Sequence, residues 1–308
     1  MLLNQSKTEQ LAENLVEAEM SGRSLWNDAA NRFIHNKAAM VSLVILGLIV
    51  AFTIIGPYLA TWNHEDIDWN VLGDIKTQGA PSFESGHYFG TDELGRDLFS
   101  RVIQGTQISL MVGVIGSLIA VLIGTLYGAT AGYVGGKVDG FMMRFVDIMM
   151  SIPYMFILIL LLVIFGRSII LIFVGIGAIS WLDMSRIVRG QTLSLKNKEY
   201  IEAAIATGVS SWRIILRHIV PNVLGIVIVY ATLLVPNMIL TESFISFLGL
   251  GVQEPDTSWG VLISEGAGTM SYGTIWQLAF PLAFFIVTLL CFFFIGDGLR
   301  DALDPKDR

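Results

Sequence analysis

Side chains able to carry chemistry are sparse in this chain and lie far apart. Four histidines, His35, His64, His87 and His218, fall in different segments and form none of the spacings that hold a metal. The single cysteine, Cys291, sits beside Phe292 to Phe294, so a buried, inert thiol is expected and an internal disulfide is impossible. Neither His-Glu-x-x-His nor Gly-x-Ser-x-Gly occurs. Gly135-Gly136-Lys137 looks like the end of a phosphate loop, but the positions that need Ser or Thr and an earlier glycine hold Val138 and Ala131. The reading is therefore of a non-catalytic chain with no cofactor or metal site of its own.

The remaining candidates are charges inside apolar blocks, which mark ion pathways when they are not locally paired. Arg144 and Asp147 lie one helical turn apart, and Asp183 is close to Arg186, so local ion pairs are expected for both. Glu242 follows Pro236 in another block and either lines a pathway or snorkels toward the interface. No block carries the chain of acids or histidines expected of an ion-coupled transporter. Outside the blocks, Asp92, Arg96 and Asp97 are placed to fix a loop through internal ion pairs or, as a second reading, to touch solute.

The elements that position these residues follow from composition. The chain has 308 residues, 54% hydrophobic and only 15% charged. A soluble domain carries about 25% charged residues. The charge is missing from blocks at 38–60, 107–133, 141–165, 168–188, 222–244 and 276–295. Each is long enough to cross a bilayer, which takes about 20 mostly apolar residues. The fold class expected is all-α, a polytopic membrane protein of about six transmembrane helices. The third and fourth spans, separated by Gly166 and Arg167, should form a tight hairpin. Polar residues 1–37, with Glu9, Glu13, Glu17 and Glu19, are not a cleavable leader, so the first span is read as a retained anchor.

With the N-terminus in the cytoplasm, Lys76, Arg96, Arg101 and Arg167 fall outside and the other 15 of the 19 Lys and Arg fall inside. Basic residues favour the cytoplasmic side, so both termini are placed there. The organisation is then a cytoplasmic segment 1–37, a membrane domain 38–298 and a cytoplasmic tail 299–308. External loops are expected at about 61–106 and 245–275, the second a turn-rich cap without a helix. The net charge of −7 speaks against nucleic acid as a partner. In the second span, Gly116, Ala120, Gly124, Gly128 and Gly132 form a small-residue stripe, either a groove within the subunit or a contact with a partner subunit.

The cytoplasmic segment at about 189–221 is the most informative. Residues 198–207 read as a short helix with Ile201, Ala204 and Ile205 on one face, stopped by Gly208 in a left-handed conformation. Ser210 or Ser211 can cap a second helix reaching Arg217, and Pro221 should separate it from the fifth span. Such a knob, apolar and basic with Arg213 and Arg217, suits a groove on another protein.

Glu202-Ala203-Ala204, three residues and then Gly208 resemble the EAA loop of permeases in binding-protein-dependent ABC importers. That family's Ile-x-Leu-Pro ending stands here as Ile219-Val220-Pro221 after His218, and Arg217 to Asn222 are similar to the oligopeptide, dipeptide and nickel branch. Phe89-Gly90-Thr91-Asp92-Glu93-Leu94-Gly95-Arg96-Asp97-Leu98-Phe99-Ser100-Arg101 resembles the external segment of that branch's C-type subunits. Ser246-Phe247-Leu248-Gly249-Leu250-Gly251, with Pro255 and Trp259-Gly260, resembles their last external loop.

The resemblance implies a type I ABC importer permease fold in a bacterial plasma membrane. The partners it implies are a second permease subunit, two cytoplasmic ATPases that bind ATP and magnesium, and an extracytoplasmic peptide-binding protein. Glu202, Ala203, Ala204 and Gly208 would couple the ATPases to the spans, Glu202 as an anchor and the alanines by allowing close approach. Peptide is the expected cargo. Nickel or another small solute is the alternative within the branch, and a stand-alone secondary transporter the alternative outside it.

Overall fold

The computed structural model describes residues 25–166 and 168–303. The acidic residues Glu9 to Glu19, Arg167 in the expected hairpin, and tail residues 304–308 lie outside the described residues. Ten helices carry the fold: α1 Leu25–His35, α2 Lys37–Leu59, α3 Leu98–Val134, α4 Gly136–Ser151, α5 Tyr154–Phe165, α6 Ile169–Leu195, α7 Glu199–Ala206, α8 Ser211–Phe247, α9 Trp259–Thr269 and α10 Trp276–Leu303. A single turn, Ile75–Gln78, lies in the connection between α2 and α3. Among the described residues there is no strand, only the isolated bridges of Ile67 with Arg96 and Thr91 with Asp97. Helices α2, α3, α6, α8 and α10 are each long and apolar enough to span, and the pair α4–α5 supplies a sixth crossing if it is taken as one span.

That pair corrects the continuous helix expected over 141–165. It bends by 77° between Ser151 and Tyr154. Pro153 has no N–H to donate and disfavours the helical conformation at the residue before it, and Ile152 is accordingly extended, with φ −90° and ψ 127°. Hydropathy continues through the proline, whereas the backbone hydrogen bonds do not.

Other boundaries move for similarly local reasons. The second span begins at Leu98 because the Asp97 carboxylate caps it, accepting from Ser100 N at 2.8 Å. The loop expected over 61–106 therefore stops at Asp97. The fourth span continues to Leu195, so the segment at 189–221 starts as helix. Pro221 does not separate two helices. The chain from Ser211 stays helical through a π turn, Ile215–Ile219, in which Val220 N donates to Ile215 O. The wider turn absorbs the N–H that proline lacks, and the Asn222 side chain donates to His218 O at 2.6 Å. The loop at 245–275 is not free of helix, since α9 lies within it, capped by Ser258, whose hydroxyl accepts from Val261 N.

The small-residue stripe explains the centre. Helix α6 runs parallel to α3 along it: a Cβ added to Gly124 would lie 2.6 Å from Met184 Cβ, and one on Gly128 would lie 2.3 Å from Ser185 O. Both backbones approach to contact, so dispersion acts between them where lipid supplies no hydrophobic drive. Of the two readings of the stripe, the structure shows the groove within the subunit. Helix α8 packs antiparallel on α3, and α10 packs against α2, α8 and α9. The connections 60–97 and 248–275 thereby gather at the end where α3 begins. Helix α7 and the last turns of α3, α6 and α10 gather at the opposite end. Leu48, Ile54, Phe156 and Leu160 on α2 and α5 are exposed, an apolar surface of the kind that lipid covers.

Candidate coupling knob, loop network and cleft

The knob is built by one helix terminus. Helix α7 ends with Gly208 at φ +80°, Gly208 N donating to Ile205 O at 2.9 Å and Val209 N to Ala204 O at 3.1 Å. These paired bonds define a Schellman stop, which needs a left-handed residue at this position and so favours glycine. The stop turns the chain sharply and starts α8 at Ser211. Ser210 holds the cap position, but neither it nor Ser211 supplies the expected side-chain capping bond.

Burial divides the motif. Ile201 is fully buried and Ala204 nearly so, whereas Glu202, Ala203 and Gly208 are exposed. Ala204 thus packs within the subunit, and only Ala203 of the two alanines is available to another chain. Ile205, expected on the inward face with Ile201, is 52% exposed. Trp212 and Leu216, one turn apart on α8, are exposed as well, and so are Arg213 and Arg217.

At the opposite end, the stretch from Phe89 to Arg101 is a fastening. Phe89 stacks on Phe280 with centroids 4.1 Å apart, and Thr91 O accepts from Trp276 Nε1 and Gln277 Nε2 at 3.1 and 2.8 Å. Asp92 accepts from Leu94 N and Arg96 N, then from Arg96 Nε at 2.7 Å and Arg101 Nη1 at 2.5 Å. Arg96 continues to Glu254 at 2.8 Å and Arg101 to Glu265 at 2.7 Å, so the network ties α3 to both connections at this end. Asp97 makes no pair with Arg96. It caps α3 and accepts from His87 Nδ1 at 2.9 Å. Arg101 and His87 enter this cluster although sequence reasoning had not singled them out.

His87 is fully buried, stacked on Trp62 at 4.8 Å, with Asp68 3.5 Å from its other nitrogen. Burial pulls its pKa down, but the Asp97 and Asp68 carboxylates outweigh burial and hold it above the ordinary 6.5. Because the folded value is raised, the stabilisation is fully present below about pH 6.5 and is lost as pH rises through the folded value. The connection 60–97 is therefore expected to resist proteolysis better at about pH 6 than at about pH 8.5. In His87→Gln that difference should vanish. A wild-type cleavage rate independent of pH would rule out the link.

The intramembrane charges are arranged differently from their sequence neighbours. Asp147 pairs with Arg186 of α6, not with Arg144, and Asp139 makes a bidentate pair with Arg189 at 2.5 and 2.6 Å. Arg186 is thereby taken from Asp183, which forms no hydrogen bond or ion pair with any described residue. Glu242 is fully buried and accepts from Ser109, Ser243 and Ser246 at 3.1, 3.2 and 2.6 Å. It neither snorkels nor lines an open space, because its carboxylate turns toward α3 and the start of α9. Cys291 is free and buried.

A large open space lies elsewhere. A cleft of about 920 Å³ runs between the break in α4–α5, the middle of α6 and the exposed face of α8. It carries Asp183, Tyr230, Asn237 and Thr241 among apolar residues that include Met149, Met155 and Met238. Pro153 at the bend, with Tyr154 and Met155 at the start of α5, lines one side of it. Among the described residues no group of three His, Cys, Asp or Glu could hold a metal ion.

Five helices, or six with the bent pair taken as one, that are long and apolar enough to cross a bilayer make this an integral membrane protein. Residues 120–308 match the family of binding-protein-dependent transport system inner membrane components, and 24–75 match the N-terminal transmembrane domain of oligopeptide transport permease C. The chain belongs to this family of ABC importer permeases. It is 59% identical over 308 residues to the oligopeptide transport system permease protein OppC of Escherichia coli K12, covering all of both chains. To OppC of Haemophilus influenzae it is 56% identical over 305 residues, covering 99% of this chain and 96% of that one. To the dipeptide transport system permease protein DppC of Bacillus subtilis it is 43% identical over 307 residues, covering 100% and 92%.

Proposed function

We propose that this chain is the permease subunit through which peptides cross the cytoplasmic membrane of a bacterium, driven by ATP hydrolysed on partner subunits. A second permease completes the passage, two ATPases sit beneath the knob, and a peptide-binding protein delivers cargo at the end fastened by Asp92 and Arg96. Both termini face the cytoplasm. The bias of Lys and Arg toward the knob end supports this orientation.

One observation carries the reading. Ile205, Trp212 and Leu216 are exposed on a glycine-stopped knob that also carries exposed Glu202, Arg213 and Arg217. A cluster of exposed apolar side chains edged by charge marks a protein interface. The knob joins α6 to α8, the two helices whose facing surfaces line the cleft, so force applied there would reach both walls. Full-length likeness to relatives named for oligopeptide and dipeptide transport supports peptide as the cargo.

The test is uptake by the complete transporter reconstituted in vesicles. Labelled peptide should accumulate only with ATP and binding protein present. Accumulation of nickel but not peptide would replace the cargo, and uptake by this chain alone on a proton gradient would end the importer reading.

A further inference from the structure

We infer that Asp183 is the docking point in the cleft for a cationic group of the passing solute, which for a peptide is its N-terminal ammonium. The inference rests on the peptide reading for the identity of the solute, but its geometry is independent of that reading. Asp183 lies about midway along α6, and its exposed carboxylate faces the cleft. It is within electrostatic reach of Tyr230 on α8 and has no cationic partner among the described residues, because Arg186 is held by Asp147.

An unpaired carboxylate restricts what can fill this space. Pressing it against the apolar surface of another helix would remove its water with nothing in return. The cleft must therefore stay hydrated at Asp183 or receive a cation there. Its polar neighbours point to the same guest. The Asn237 side-chain N–H₂ donates to Leu233 O at 3.0 Å and the Thr241 hydroxyl donates to Asn237 O at 2.8 Å. What these side chains can still offer the cleft includes acceptor oxygens, which suit a donor-only group such as an ammonium. Methionines Met149, Met155 and Met238 supply walls that repack around differing side chains. A fixed anion beside an adaptable wall recognises what peptides share and tolerates what they do not.

The experiment uses the complete transporter in vesicles, with Cys291→Ser and Thr241→Cys so that one thiol of this subunit reports the cleft. Labelling by a cationic and an anionic methanethiosulfonate is read from the subunit's mass, with and without Asp183→Asn. The expected result is a rate ratio favouring the cation that falls about tenfold in Asp183→Asn, the scale of one lost charge-assisted hydrogen bond. Saturating peptide should slow labelling. In the otherwise native transporter, Asp183→Asn should lower peptide uptake by a similar factor while ATP hydrolysis persists.

An unchanged ratio, or a thiol that never reacts because the second permease covers it, overturns the inference. So does failure of Asp183→Asn to assemble, which would give the carboxylate a cation on the partner subunit. Native transporter that hydrolyses ATP without accumulating peptide would instead refute the peptide reading, and the labelling ratio would still report on the cleft.

Discussion

In a reconstituted transporter carrying Gly208→Val, peptide uptake falls about tenfold while the subunits still assemble. The cause is conformational. A Cβ at position 208 meets nothing within 4 Å, so crowding is not the difficulty. The φ of +80° is. A side chain in the left-handed region costs roughly 1–2 kcal/mol, which lowers the population of the Schellman-stopped knob about five- to thirty-fold. The alternatives leave Gly208 N and Val209 N without their carbonyls and point Ile205 and Trp212 in new directions. Asn tolerates this region of φ, so Gly208→Asn should recover most of the uptake. ATP hydrolysis that continues in Gly208→Val without uptake would locate the defect in coupling. Uptake at the wild-type rate in Gly208→Val would remove the knob from the mechanism.

The knob was legible because its signals are local. An apolar face, a glycine and a short return are read within about ten residues, and φ at Gly208 follows from helix-stop chemistry. Apolar length likewise sufficed to place the spans. Misreadings occurred where distant contacts or two competing signals decided. The glycines and Pro255 of 245–275 read as a turn-rich cap without a helix. Yet Gly260 sits in α9 because a Cβ there would lie 2.3 Å from Ser243 O, a requirement of close packing that no window of sequence contains. Ser258, just before α9, was the signal that could have found this helix.

Charge partners show the same division. Arg144 is Asp147's neighbour along the chain, but Arg186 meets it in space, and that exchange is what frees Asp183. Along the chain Asp183 reads as locally paired, and Glu242, which reads as lining a pathway or snorkelling, is enclosed by serines. Proline 153 was visible in the sequence, but an apolar average conceals one missing hydrogen bond. The cleft lies where residues of that bend, of α6 and of α8 come together. The glycine stripe alone left the partner of its close contact open.

Arg101→Met should be the most destabilising single change at the end where α3 begins. The Arg101 side chain is 3% exposed and binds both Asp92 and Glu265, the latter through two nitrogens at 2.7 and 3.1 Å. Methionine fills much of the same volume, so the loss is mainly electrostatic. Asp92, with a side chain only 5% exposed, keeps Arg96, but Glu265 is left beside it with Arg96 alone at 3.9 Å. Breaking a buried ion pair from one side costs about 3–5 kcal/mol, and Glu265, 27% exposed, recovers some of this through water. The expected fall in apparent melting temperature is on the order of 10 °C. Adding Glu265→Gln removes the stranded charge, so the double variant should be more stable than Arg101→Met alone, a non-additivity that a double-mutant cycle measures directly. If Arg101→Met melts with the wild type, the network is ornament to a connection held by Phe89, Trp276 and Gln277. If the cycle is non-additive as expected, Arg101 is the residue through which α3 holds α9 and the connection before it in a single register.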